Sequence, residues 1–166
     1  MSTTASAQPC SVVPRSQAFS DTHANIIRNL TPNGVVQLHE AALRISTDDD
    51  TIPKGGAVEE YQRNFDEAAE PAGLEDVTED LEQWLLDAGF VDVRVVVKKL
   101  PLGPWPKESS KKELGRWGLA IINEGLQSFG IGLFTRVLGK KPEEAQQICD
   151  AAFAELGRNV HVYNAQ

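Results

Sequence analysis

Val160-His161-Val162-Tyr163, near the end of a 166-residue chain, alternates apolar and polar side chains and reads as a β-strand. Four residues cannot form a strand alone, because their backbone N–H and C=O groups need partners, so earlier segments must supply the neighbours. Two stretches qualify. Val35-Val36-Gln37-Leu38-His39-Glu40-Ala41-Ala42-Leu43-Arg44-Ile45 is partly apolar on both faces, as a strand covered on each side would be, and gives way to Asp48-Asp49-Asp50, whose mutual repulsion breaks regular structure. Val91-Asp92-Val93-Arg94-Val95-Val96-Val97-Lys98 has Val at every odd position and predicts a strand over about 91–99.

Between these stretches the period changes to that of helices. Val58, Tyr61, Phe65 and Ala69 fall on one helical face. Thr78 is the expected cap of a second helix with Leu81, Trp84, Leu85 and Ala88 on its apolar side and Gly89 at its end. Ser110-Lys111-Lys112-Glu113 matches a capping box and opens a long helix whose expected core face is Leu114, Trp117, Ile121, Gly125 and Phe129. Pro142 suits a helix start, with Ala145, Ile148, Cys149, Ala152, Phe153 and Leu156 on the face that follows. Strands at about 35–45, 91–99 and 160–163 among these helices predict an α/β fold, a small mixed sheet with helices packed on it and an open edge. Asp21 reads as the cap of a further short helix carrying Ala24, Ile27 and Leu30. Residues 1–20, rich in Ser, Thr, Ala and Pro, read as a disordered leader, which leaves 21–166 as one domain.

Composition narrows the function. The net charge of −8 repels phosphate backbones and argues against nucleic acid, and no apolar run approaches a bilayer-spanning length. The charge is segregated: residues 48–87 hold 14 acidic and two basic side chains, whereas 88–141 hold four acidic and ten basic. Attraction between the two segments is the expected use of Lys98, Lys99, Lys107, Lys111 and Lys112, with steering of an anionic substrate as the alternative. Cys10 and Cys149 offer neither a disulfide framework nor a metal-binding spacing, so an intracellular setting is expected.

Pro104-Trp105-Pro106-Lys107, Lys112-Glu113-Leu114-Gly115-Arg116-Trp117 and Leu133-Phe134-Thr135-Arg136-Val137-Leu138-Gly139 resemble the C-terminal part of fungal S-adenosylmethionine-dependent methyltransferases of the LaeA type. Leu30-Thr31-Pro32-Asn33-Gly34 leading into Val35–Glu40, Asp48-Asp49-Asp50-Thr51, and Ala88-Gly89-Phe90-Val91-Asp92-Val93 fit the same family in order and spacing, so that the likeness covers roughly 26–164. It implies a partial Rossmann-like fold in which 35–45 is the fifth strand, 91–99 the sixth and 160–163 an antiparallel seventh between them. It also implies S-adenosylmethionine as cofactor, a small-molecule acceptor and a role in secondary metabolism. The donor-binding strands and their Gly-rich turn find no counterpart, so the cofactor site is expected to be missing, and a homo- or hetero-oligomer through the open sheet edge is expected; the alternative is a non-catalytic interaction or metabolite-binding module. Gly130-Ile131-Gly132 follows a helix, not a strand, and reads as a helix break.

Candidate site residues are few. His39 suits a general base because its ordinary pKa lies near neutrality, and Glu40 matches an acid of the family, although neighbours on a strand point to opposite faces. Trp105, in a loop whose prolines forbid helix and central strand, is a candidate to line a substrate pocket, together with Arg116 and Trp117. His23 and His161 have no metal-ligand spacing.

Overall fold

A computed structural model describes residues 30–31, 34–158 and 160–165. The expected leader and the helix after Asp21 lie outside the described residues, apart from Leu30. Seven elements follow in order: β1 (Ile45–Thr47), α1 (Ala57–Ala69), α2 (Leu81–Asp87), β2 (Lys99–Pro101), α3 (Ser109–Arg136), α4 (Pro142–Leu156) and β3 (Val162–Ala165). The sheet has the order β1-β3-β2, and β3 is antiparallel to both neighbours. Thr47 stands opposite Val162 on one side, and Pro101 opposite Tyr163 on the other. The C-terminal strand therefore sits between the two earlier ones, as expected, and the α/β class holds.

The strands are much shorter than the sequence pattern suggests. Of 35–45 only Ile45 is in β1, and of 91–99 only Lys99 is in β2. The reason is geometric: β3 spans four residues, so neither neighbour can find backbone partners for longer. Beyond the ladder, Ala42 N–H still reaches the Ala165 carbonyl at 2.9 Å, but Val35 is 88 % exposed and Val91, Val95, Val96 and Val97 are exposed too. Asp92 has φ of 56°, a left-handed conformation that no strand interior tolerates.

The core forms where α1, α3 and α4 pack together and meet Val162 and Leu102 from the sheet. The face expected for α1 is the one buried, with Val58, Tyr61, Phe65 and Ala69 all inside. Helix α4 starts at Pro142 and buries Ala145, Ile148, Cys149, Ala152 and Leu156 as its periodicity requires. It also buries Glu155, whose carboxylate accepts the Ala57 N–H at 2.7 Å and the Val58 N–H at 3.5 Å. These are orphan donors of the first turn of α1, where Gly56 supplies no side-chain cap, so Glu155 caps that helix from across the core. Expected capping side chains elsewhere are used differently: Thr78 donates to Asp76 at 2.6 Å, Asp80 precedes α2, and Ser110 donates to Glu108. Helix α2 leaves Trp84 only half-buried rather than in the core.

Helix α3 departs most from expectation. Leu114, Trp117 and Ile121 are exposed, the last two by 65 % and 66 %, and so is Phe129. The buried side carries Gly115, Gly118, Leu126, Gly130, Leu133 and Phe134. Glycine decides this: without Cβ atoms at Gly115 and Gly118, α3 comes into backbone contact with Gly103 and Pro101, and the Gly103 N–H donates to the Gly115 carbonyl at 2.9 Å. Gly103 itself has φ of 134°, a conformation open to glycine alone in practice. The helix passes unbroken through Gly130-Ile131-Gly132, correcting the expected break. A Cβ on Gly130 would lie 2.6 Å from Cys149 Sγ and 2.8 Å from Tyr61, so this glycine makes room for the core. Tyr61 Oη and Cys149 Sγ both donate to the Leu126 carbonyl at 3.3 Å. Among the described residues, no helix is long and apolar enough to cross a membrane.

Candidate functional site

Alternation along β3 separates two roles. Val162 points into the core, which leaves His161 and Tyr163 to the opposite face of the sheet. Two loops frame that face. The acidic turn after β1 is stitched to β3, with Thr47 Oγ1 donating to the His161 carbonyl at 3.0 Å and the His161 N–H donating to Thr51 Oγ1 at 2.8 Å. The proline-rich loop after β2 brings in Trp105, whose Nε1–H donates to the Val162 carbonyl at 3.0 Å.

Two clusters result. Asp49 Oδ2 lies 2.6 Å from His161 Nδ1, and the Trp105 ring rests against the imidazole with centroids 5.2 Å apart. Nδ1 is committed to the carboxylate, while Nε2 has no hydrogen bond among the described residues and the His161 side chain is 37 % exposed. The hydrogen bond from His161 holds the Asp49 carboxyl down at about 2, with the hydroxyls of Thr51 and Thr47 adding to it against a smaller cost of desolvation. Beside this pair, Lys99 Nζ reaches Asp48 at 2.7 Å and sits 4.3 Å above the Tyr163 ring, whose hydroxyl donates to Asp48 at 2.9 Å. Hydrogen bonds from Lys99 and Tyr163 lower the Asp48 pKa, and donating to Asp48 raises that of Lys99.

Asp48, Lys99, Pro101, Trp105, Lys107, Lys111 and Tyr163 line an open groove of about 390 Å³. Two of its cations are already answered, Lys99 by Asp48 and Lys111 by Glu108 at 3.0 Å; Lys107 has no ion pair among the described residues. A groove with an aromatic wall and a net positive lining can receive a planar, anionic small molecule. The Asp48–Lys99 pair also joins the acidic and basic segments of the sequence, as their complementarity suggested.

Of the residues singled out from sequence, Trp105 reaches this groove, together with Lys99, Lys107 and Lys111 of the basic group. His39 is exposed in an extended segment and meets the side chain of Gln37 at 2.9 Å, and Glu40 beside it is exposed as well. Arg116 and Trp117 lie exposed on α3 and do not line the groove, so Trp117 is not the core residue its helical spacing suggested. Asp49 and His161 are 112 positions apart, and no local spacing announces them; the placement of the last strand between the other two is the one signal that brings them together. No group of three or more His, Cys, Asp or Glu side chains among the described residues is placed to hold a metal.

The chain is similar to a probable methyltransferase, tdiE, of Emericella nidulans, with 29 % identity over 89 % of this chain and 44 % of that protein. It is 31 % identical to the methyltransferase pytC of Aspergillus terreus, over 79 % of this chain and 41 % of the relative. The protein-methionine methyltransferase laeA of Chaetomium globosum is 26 % identical over 82 % of this chain and 44 % of its own length. No protein-family model matches the chain, and no solved structure does. The chain spans less than half the length of each of these relatives. On that similarity it belongs to the fungal methyltransferases that include the LaeA-type proteins.

Proposed function

We propose that the chain is the acceptor-side module of a LaeA-type methyltransferase of secondary metabolism, which takes a small-molecule acceptor into the groove at Trp105 and does not hold the methyl donor itself. The observation that carries this reading is the groove on the outer face of β3, built by residues that three separate segments bring together. S-adenosylmethionine is the cofactor that the family implies, and on this reading its site is not built by the described residues alone. A Rossmann-type cofactor site places a glycine-rich turn between a strand and a helix. Between β1 and α1 the consecutive glycines Gly55 and Gly56 do precede a helix, but the Glu155 carboxylate fills that N-terminus. The donor half is therefore assigned to another polypeptide segment, docked along the outer edge of β1, where the ladder is open among the described residues.

Calorimetry tests this directly: the 166-residue protein shows no saturable S-adenosylmethionine binding, and micromolar affinity would overturn the reading. A second reading, a non-catalytic interaction module, is favoured by the exposed Leu114, Trp117, Ile121 and Phe129 of α3. It predicts that a partner protein protects these side chains while small hydroxyaromatic compounds leave the groove unchanged in NMR spectra.

A further inference from the structure

We propose that the exposed face of α3 is the contact of a two-fold homodimer, in which the helix pairs antiparallel with a second copy of itself. This is independent of what the groove binds. From Leu114 onward the residues sharing this face follow one another at steps of three and four: Leu114, Trp117, Ile121, Gly125, Ser128, Gly132. The first three are large and apolar, and the last three are small. Leu114, Trp117 and Ile121 are between 46 % and 66 % exposed, and a Cβ on Gly125 or Gly132 would meet nothing within 4 Å, so both halves of the ridge are open. Phe129, also exposed, widens the apolar surface at the flank of the second half.

Reversing direction makes such a ridge complementary to itself. When two copies run antiparallel about an axis at residue 123, Leu114 comes opposite Gly132, Ile121 opposite Gly125, and Trp117 beside Ser128. Each bulky side chain of one helix enters the gap left by a small residue of the other, and every pairing occurs twice, as a two-fold requires. A second copy uses this order at every step, whereas an unrelated partner gains nothing from it. The antiparallel arrangement also sets the opposite ends of the two helix dipoles side by side. Helix α3 packs on α1, α4 and β2, and β3 separates β2 from β1, so the outer edge of β1, to which the donor half is assigned, lies across the sheet from this face. Area sets the strength. At their exposures Leu114, Trp117, Ile121 and Phe129 offer roughly 450 Å² per copy, about 900 Å² for the pair. That lies below the roughly 1,200 Å² at which stable interfaces begin, so the dimer is a weak one with a dissociation constant of about 10–100 µM, and dilute protein is monomeric with the face open.

Sedimentation equilibrium of the 166-residue protein from about 1 to 500 µM tests the proposal. The average mass should rise from the 18.1 kDa of one chain toward twice that value, with its midpoint in the tens of micromolar. Ile121→Asp places a charge at the centre of the contact, and Gly125→Leu fills the gap that receives Ile121; each should weaken association by at least about tenfold. Leucine favours an open helix over glycine, so Gly125→Leu should keep or raise the Tm of dilute protein, which separates lost pairing from lost folding. Arg116→Ala, on another side of α3, should leave association unchanged. A mass that stays at one chain up to about 500 µM overturns the proposal. So does association that either Ile121→Asp or Gly125→Leu leaves intact, which would place the contact elsewhere, such as the open edge of β1.

Discussion

Replacing Gly115 with alanine should destabilise the protein, although alanine is the better helix former. Position 115 lies in the first third of α3, where the gain from Gly→Ala in an open helix is about 1 kcal/mol. Here the added methyl would be driven against the Gly103 carbonyl, meeting its oxygen far inside contact distance and its carbon at 2.8 Å. Both atoms are backbone. They cannot turn aside like a side chain, because Leu102 N–H is bonded to the Val162 carbonyl at 2.9 Å and ties this segment to β3. The helix must therefore retreat by roughly an ångström, at an overpacking cost of about 1–3 kcal/mol, and stretch the Gly103–Gly115 hydrogen bond, worth about 1 kcal/mol. The net loss is about 2 kcal/mol, which in a chain of this length lowers Tm by about 4–8 °C. Gly125 on the same helix is the matched control: a Cβ there meets nothing within 4 Å, so Gly125→Ala should raise stability by up to about 1 kcal/mol. Urea titration followed by helical circular dichroism gives both values from midpoint shifts at unchanged slope. If Gly115→Ala stabilises as Gly125→Ala does, α3 does not lie against the strand backbone and the packing described above is wrong.

Acid unfolding checks the dyad. Asp49 stays ionised in the fold down to about pH 2, whereas in an unfolded chain aspartate takes up its proton near pH 4. Its contribution is therefore present above about pH 4 and is lost as pH falls through 2, and Asp49→Asn should flatten the stability curve across that interval while leaving it parallel to wild type above pH 5; an unchanged acid slope would count against the contact. Burial pushes the Cys149 thiol up to about 11, so in a Cys10→Ser background iodoacetamide at pH 8 should leave the native protein unmodified and label it only on unfolding; labelling at the unfolded rate would contradict the burial. Trp117→Ser should change stability by less than about 0.5 kcal/mol and reduce binding of a hydrophobic dye, whereas a loss of several kcal/mol in the urea midpoint would return Trp117 to the core.

Legibility in the sequence depended on which force shaped each element. Helices α1 and α4 bury apolar side chains at regular spacing, so their periodicity read correctly down to Val58, Tyr61 and Leu156. Helix α3 is held by the absence of side chains: Gly115, Gly118 and Gly130 let backbone and sulfur approach, and hydrophobic periodicity assigns no weight to glycine. Its apolar stripe consequently pointed to the wrong face. The sheet order was legible through the family likeness, but strand lengths were not, since they depend on how many residues β3 offers as partners. In the candidate site Trp105 stood out because an aromatic among prolines has few structural uses. Asp49 and His161 meet through tertiary structure, and His39 attracted attention only because its chemistry was plausible in isolation.

Glu155 can be regarded as a ligand that the fold carries with it. The first turn of α1, with two glycines ahead of it, has the makings of an anion receptor, and a tethered carboxylate from the neighbouring helix occupies it permanently. Because the tether removes any dependence on concentration, no free phosphate or carboxylate can compete there under ordinary conditions. Helix α1 is thereby locked to α4 by the same bond that closes its own end.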